Sequence, residues 1–449
     1  MKKINLFVLT AVSAILLAAC EPAVVPVKQY DGTEVQGISA TEILVGNTAA
    51  TTGSYAVVGV PFNYAIEAVF EEYNEAGGFE GKNIVLQHYD DYFDGAVGKV
   101  LTEKLVETDE VFALVGHFGT NTVGATVDYI KEIGIPMVYA ATGISDLYQE
   151  EAEGYNKAVM PVQPIYDSEG RFLLARALAE HDVQGLKGTK IGVIEAKDDA
   201  GSGMVYGVKA QAKLLKNPAS ILYVETPAEQ GTNHAAAVNK LKDAECDVVI
   251  IAANQIPFSE ILNYMRDANY NAKVITSYVT ANAITLGAAA AVGSITADRP
   301  VYTNSWLDIA DAEGYLGLSA EYWEFATLMM AHDKEEGAPT GTAYAGNSYA
   351  IAGYVAAKVF LEGLKRVKEK DVDLVWKTYI EAMEKDPISL PMGGEIDFAN
   401  GRRYGAEELG LNYYFLGNPE LELPAGLAGA DTLRTLDYVW DLVPADLKA

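Results

Sequence analysis

From Glu42 onward the chain alternates short β-branched apolar runs with stretches of helical period, and it does so twice. The first block reads as strand Ile43–Gly46, helix Phe62–Glu75, strand Asn83–Tyr89, helix Val97–Thr108, strand Val111–Val115, helix Thr122–Ile133 and strand Pro136–Tyr139. The second restarts at Lys190–Ile194. It continues through helix Met204–Leu215, strand Ile221–Glu225, helix His234–Ala244, strand Val248–Ala253, helix Phe258–Ala268 and strand Lys273–Thr276. Continuous apolar strands set between helices are the mark of parallel strands covered on both faces. Two such blocks predict an α/β protein of two doubly wound lobes with parallel central sheets. Beyond Pro300 the pattern weakens to helices Ala320–His332, Tyr349–Lys370 and Val375–Met383, with late strands at Gly394–Phe398 and Asn412–Leu416.

The chain opens on Met1-Lys2-Lys3, then an apolar run from Leu6 to Leu17, then Ala18-Ala19-Cys20. The run is shorter than the ~20 residues of a membrane span, and the order of charge, apolar run and small residues predicts a secretory signal over 1–19. Small residues directly before a cysteine resemble the cleavage box of bacterial lipoproteins, which implies a lipid on Cys20. Residues 20–40 hold Pro22 and Pro26 and no helical period, so they read as a tether. What remains exceeds the size of one core and divides into two domains. The formal charge of −29 repels phosphate backbones and anionic lipid alike, which excludes nucleic acid and leaves the anchor as the membrane contact. With Cys20 lipidated, the second cysteine, Cys246, has no partner and reads as a small buried hydrophobe.

In doubly wound sheets of flavodoxin-like order, ligands sit at the carboxyl ends of the strands where the order reverses. The segments there are Thr48–Tyr55, containing Gly53-Ser54-Tyr55, and His117-Phe118-Gly119-Thr120-Asn121-Thr122. A third, Ala140-Ala141-Thr142-Gly143-Ile144-Ser145, follows the fourth strand. Each is also a natural helix cap. Together, three loops rich in hydroxyl groups and glycine suit a carboxylate or amide, with helix N–H groups in place of a cationic side chain. The second block offers Asp198-Asp199-Ala200-Gly201-Ser202-Gly203 after its first strand, whose glycines only loosely echo a dinucleotide loop. Asn254, Gln255 and Tyr278 follow later strands and supply hydrogen bonds and an aromatic wall.

Catalytic chemistry is missing from the pattern. The five histidines lie in separate segments, and there is no Gly-x-Ser-x-Gly elbow and no phosphate loop ending in Gly-Lys-Ser/Thr. Asp90-Asp91-Tyr92-Phe93-Asp94-Gly95 has Tyr92 where a calcium loop needs an oxygen ligand. It reads as a turn at a strand end. Neither cofactor nor metal is predicted, and binding is favoured over catalysis.

Five segments in order resemble the branched-chain amino acid (Leu/Ile/Val) class of ABC-transporter solute-binding proteins. They are Gly53-Ser54-Tyr55…Gly59, Ile66-Glu67…Asn74-Glu75-Ala76-Gly77-Gly78-Phe79-Glu80-Gly81-Lys82, Tyr89-Asp90-Asp91, Leu114-Val115-Gly116-His117 and Gly134-Ile135-Pro136-Met137. The resemblance, over about residues 42–420, implies two lobes joined by three hinge strands, one of 41–163 plus 302–388 and one of 164–301 plus 389–449. It implies closure over an amino acid, amide or organic acid, and docking on a membrane permease. Thr120 falls where the family binds a ligand carboxylate, and Ala141 to Gly143 where backbone N–H groups and a threonine assist. Asn254 or Gln255, and Ala200, fall at aromatic positions. Tyr278 or Val279 falls where amino-acid binders carry an acid for the ammonium, and Phe93 and Gly119 stand at the family's disulfide. Either Asp198 or Asp199 takes the ammonium, or the ligand lacks one.

The expectation is a lipid-anchored, extracytoplasmic receptor for ABC import, closing on a small solute. A sensory receptor of the same fold is the alternative, and a tethered enzyme is disfavoured for want of a catalytic set.

Overall fold

The computed structural model describes residues 30–178, 186, 188–214, 220–307, 309–311, 314–332, 341–415 and 432–441. The expected signal peptide, Cys20 and most of the tether lie outside the described residues. The first lobe is built from β1 (Glu42–Ala49), α1 (Ala56–Glu75), β2 (Asn83–Asp90), α2 (Gly95–Glu107), β3 (Ala113–Phe118), α3 (Thr120–Ile133), β4 (Met137–Ala141) and β5 (Val159–Met160). Its sheet is wholly parallel, in the order β2-β1-β3-β4-β5. The second block comprises α4 (Tyr166–Ala177), β6 (Lys190–Ala196), α5 (Asp199–Ala212), β7 (Ser220–Thr226), α6 (Ala235–Asp243), β8 (Val248–Ala252), α7 (Gln255–Asp267), β9 (Lys273–Thr276), α8 (Ala283–Ala291) and β10 (Val301–Ser305).

The chain then forms the hairpin β11 (Ala310–Asp311) and β12 (Gly314–Leu318), followed by α9 (Ala320–Ala331), α10 (Gly341–Tyr344), α11 (Ser348–Lys370) and α12 (Trp376–Met383). Of these, α9 and α11 pack on α1, and α12 packs on α11. A second short hairpin, β13 (Ile388–Ser389) with β14 (Glu395–Ile396), precedes β15 (Glu408–Phe415) and β16 (Thr432–Asp441). The last two return to the second sheet, whose order is β16-β15-β10-β9-β8-β6-β7. Five of its strands are parallel, and β15 and β16 run antiparallel at one edge. Three segments thus cross between the sheets: after β5, after β10 and before β15.

The strands are buried because their apolar residues face helices on both sides: every residue of β3, β8 and β10 is buried. Helix α1 begins six residues before the expected start at Phe62 and carries Pro61 in its second turn. Proline there removes one helical hydrogen bond, and packing against α11 outweighs that loss. Helix α4 was not anticipated. Its Glu169, Arg171 and Arg176 are buried together with its apolar residues, so no amphipathic stripe marks it. It packs backbone to backbone on α5: a Cβ on Gly170 would lie 1.8 Å from Met204 O, and one on Gly207 2.0 Å from Asp167 O. Among the described residues, no helix is long and apolar enough to cross a membrane.

Candidate functional site

Segments that follow the carboxyl ends of the strands of the two sheets meet, and residues there assemble from both sides. In the first lobe, Gly119 takes φ +97° between β3 and α3. That turn buries Thr120 at the helix start, where the first N–H groups have no carbonyl a turn earlier. Thr142, after β4, brings its hydroxyl to 3.0 Å from the Thr120 hydroxyl. Gly143 follows, and its carbonyl accepts from Tyr166 N–H (2.7 Å). No side chain fits at Gly143, since a Cβ would lie 2.6 Å from Pro164 O and 2.8 Å from the Tyr278 hydroxyl. Ala141 is half-buried, and its carbonyl accepts from Gly119 N–H (3.3 Å).

Tyr166 completes this corner. Burial pushes its phenol up to about 12, while hydrogen bonds to the hydroxyls of Thr142 and Thr120 pull it back down. The corner is therefore a cluster of three buried hydroxyls at a helix N-terminus. Such a cluster can hold a carboxylate or amide oxygen by neutral donors and the helix dipole.

Tyr55 stacks on Phe93 with ring centroids 3.8 Å apart and 13° between planes, forming an aromatic wall of the first lobe. Ser54 donates to the Gln230 side-chain oxygen of the second lobe, a direct bridge across the mouth. Asn121 is exposed, and its amide donates to Phe93 O (3.0 Å), bracing the loop that carries that wall. Asp90, Asp91 and Asp94 all accept from nearby backbone N–H groups, and Asp91 also from the Thr48 and Thr122 hydroxyls. This is the arrangement of a strand-end turn.

In the second lobe Asp198 caps α5. Its Oδ1 accepts from Gly201 N–H (2.8 Å) and its Oδ2 from Asn254 Nδ2 (3.2 Å). Burial raises its carboxyl above the ordinary range, those two donors opposing the shift, and its charge is felt at the Tyr55 phenol. Asp199 is exposed and lies opposite Gly124 of α3. The two aspartates thus face different places. Asn254 and Gln255 are buried at the start of α7. Tyr278 is buried behind the cleft, donating its hydroxyl to Pro164 O (2.7 Å) and accepting from Gln163 Nε2 (3.0 Å).

The structure adds residues that local sequence did not mark. Tyr166 reaches the Thr120–Thr142 pair, and Gln230 meets Ser54. Tyr349, at the start of α11, donates to Val279 O across the lobes (3.2 Å), and Gln255 and Thr285 hydrogen-bond its phenol. Beside it, Asn282 Nδ2 donates to Asn347 Oδ1 and to the Ser348 hydroxyl, both at 3.1 Å. A tyrosine on the first turn after an Asn cap was the available signal for Tyr349. Of the histidines, His88, His117, His234 and His332 sit in four separate hydrogen-bond settings. Cys246 is a free, buried thiol.

Two lobes crossed by three segments, with hydroxyls, amides and aromatic rings converging from both, define a two-lobed binding protein. The sequence profile described as periplasmic binding protein matches residues 42–407, and the chain belongs to that family. It is 26% identical over 250 residues to a Leu/Ile/Val-binding protein homologue of Brucella suis biovar 1, a match that takes in 54% of this chain and 62% of the relative. The chain therefore spans less than two thirds of such curated relatives. Among solved structures it is similar to a branched-chain amino acid ABC transporter protein from Thermus thermophilus with bound valine. There the TM-score is 0.71 at 16% identity, covering 92% of this chain and 99% of that one. It is also similar to a fatty acid ABC transporter substrate-binding protein from Thermomonospora curvata, with TM-score 0.72, 16% identity and coverage of 94% and 96%. At such identities the likeness is one of fold. Family and fold are those of binding proteins rather than enzymes, and the family implies an extracytoplasmic location.

Proposed function

We propose that this chain is the solute-binding component of an ABC importer, tethered by a lipid on Cys20, which closes its lobes on a small carboxylate, amide or amino acid and delivers it to a membrane permease. The observation that carries this reading is the Thr120–Thr142 hydroxyl pair, 3.0 Å apart and buried at the start of α3. A ligand oxygen bound there meets donors without a counter-charge, and its remainder lies between the Tyr55–Phe93 wall and the Asp198–Asn254 pair of the second lobe. The valine of the Thermus protein and the fatty acid of the Thermomonospora protein both carry the carboxylate that such a corner suits. An amine on the ligand would meet Asp198 rather than Asp199, since only Asp198 is withdrawn from solvent within the cleft. Contacts to both lobes favour the closed state by their differential affinity for it.

The test is a thermal-shift panel of amino acids, their amides and their desamino carboxylates, each at high excess. Stabilisation by at least one member, lost in Thr120→Val, is expected, because binding to the native state alone raises stability as RT ln(1 + [L]/Kd). No shift with any member contradicts the reading.

A further inference from the structure

The first lobe brings neutral donors to the site, and the second brings charge. Thr120 and Thr142 offer buried hydroxyls 3.0 Å apart at the start of α3. Two carboxylates of the second lobe, Asp198 and Glu260, lie close enough for their charge to be felt at the Tyr55 phenol of the first. Glu260 is occupied: it accepts from Gly231 N–H (2.7 Å) and stands 3.3 Å from His234 Nε2. The donors to Asp198 are neutral, Gly201 N–H (2.8 Å) and Asn254 Nδ2 (3.2 Å), at the N-terminus of α5. Two N–H donors and the positive end of a helix keep such a carboxylate ionised at neutral pH.

The cations nearby are turned elsewhere. Lys197, next to Asp198 in the chain, pairs with Glu225 (3.0 Å). Lys131 donates to Asp146 O (2.7 Å), Arg171 to Gln211 (3.1 Å), and Arg176 to carbonyls of β15. His88 stands against the Thr51 hydroxyl, and burial pushes its imidazole down, so it is uncharged at neutral pH. Among the described residues no Lys, Arg or His side chain pairs with Asp198. The margin of the site repeats its sign: Asp167 accepts from Ser145 (2.7 Å), and Asp199 lies against Gly124 of α3.

We infer that Asp198 makes the site select by charge, taking a solute that is zwitterionic, neutral or cationic and rejecting one whose net charge is negative. The inference rests on the binding function proposed above and narrows it. Simple carboxylates drop out, and a carboxylate enters only on a molecule that also carries an amine. An anion would give up its hydration beside a fixed negative charge, with hydroxyls and helix N–H groups as its sole return. An amide meets the same hydroxyls without that repulsion, and an amine adds a charged bond to Asp198. The chain's formal charge of −29 acts the same way on approach, repelling anions before they arrive.

The test is calorimetric titration with sets of solutes matched in carbon skeleton. One set is L-valine, L-valinamide, 3-methylbutanoate and 3-methylbutanamide, and a second holds the corresponding forms of phenylalanine. Within a set that binds, the simple carboxylate should be weaker than its uncharged amide by about tenfold or more. Asp198→Asn keeps the helix cap, since asparagine caps as well as aspartate. It should tighten the simple carboxylate by about tenfold, weaken the amine-bearing members by a similar factor, and leave the uncharged amide near its parent value. Damage to α5 would weaken every member alike and leave their ratios unmoved. Glu260→Gln, which does not touch the α5 cap, should shift the ratio of carboxylate to amide affinity the same way by a smaller factor. A simple carboxylate that binds the parent as tightly as its amide, or a ratio that neither variant moves, overturns the inference and leaves the binding function standing. No binding by any member removes that function, and the inference with it.

Discussion

Thr120 gains its place from three local facts: a glycine at φ +97° before it, a helix after it, and Thr142 3.0 Å away. A hydrogen bond to a charged ligand group contributes on the order of 1.5–3 kcal/mol, so Thr120→Val should weaken binding at least tenfold in calorimetric titration of any ligand the panel identifies. An unchanged affinity would place the ligand elsewhere. His117 makes a separate prediction. It is wholly buried, with Nε2 3.1 Å from the Thr126 hydroxyl, and burial has pushed its imidazole down to about 4. A base with a depressed native value contributes stability that is present above its unfolded value of about 6.5 and lost as pH falls toward 4. Over that window Glu169, whose native value is raised, contributes in the opposite sense: its share is present below about 4.5 and lost as pH rises through 7. His117→Gln should therefore flatten the acid limb in urea unfolding between about pH 6.5 and 4, by up to about 3 kcal/mol. Equal slopes in the two proteins would show that His117 is not the group responsible.

At the scale of elements, the α4–α5 pair is held by the bare backbones of Gly170 and Gly207. Gly207→Ala places a Cβ 2.0 Å from Asp167 O. Overpacking of this kind costs about 1–3 kcal/mol, and here it also displaces the helix that carries Tyr166 and Glu169. A fall in both melting temperature and ligand affinity is expected, and a melting temperature equal to that of the parent would mean the helices can part at no cost. The elements were legible where the period was clean. All eight strands and six helices of the two repeating blocks appear with boundaries moved by a few residues, because buried strands and one-sided helices follow from short-range pattern. Helix α4 was invisible since its polar residues are spent inside, on Asn304, Ser277 and Gln211. The site divided in the same way. The loops of Ser54, Thr120 and Thr142 showed themselves as glycine and hydroxyl clusters at strand ends, whereas Tyr166, Gln230 and Tyr349 arrive from segments far along the chain. The side chain of Asn121 turns to Phe93 O and not to the hydroxyl corner, a direction that no local pattern encodes.

As a whole the molecule is two sheets of like order whose carboxyl edges meet. Its lobes touch at the mouth through Ser54 and Gln230, along one side through Asn282, Asn347 and Tyr349, and at the back through Tyr139, Gln163 and Tyr278. In the closure proposed above, a ligand favours the closed arrangement by contacts it makes in that state only. The formal charge of −29 repels the anionic face of a membrane. The most direct test of a ligand-driven clamp is small-angle X-ray scattering of the chain with and without a saturating hit from the thermal-shift panel. The radius of gyration should fall by on the order of 1 Å when the lobes close. A ligand that binds tightly and leaves the scattering curve unchanged would contradict the account.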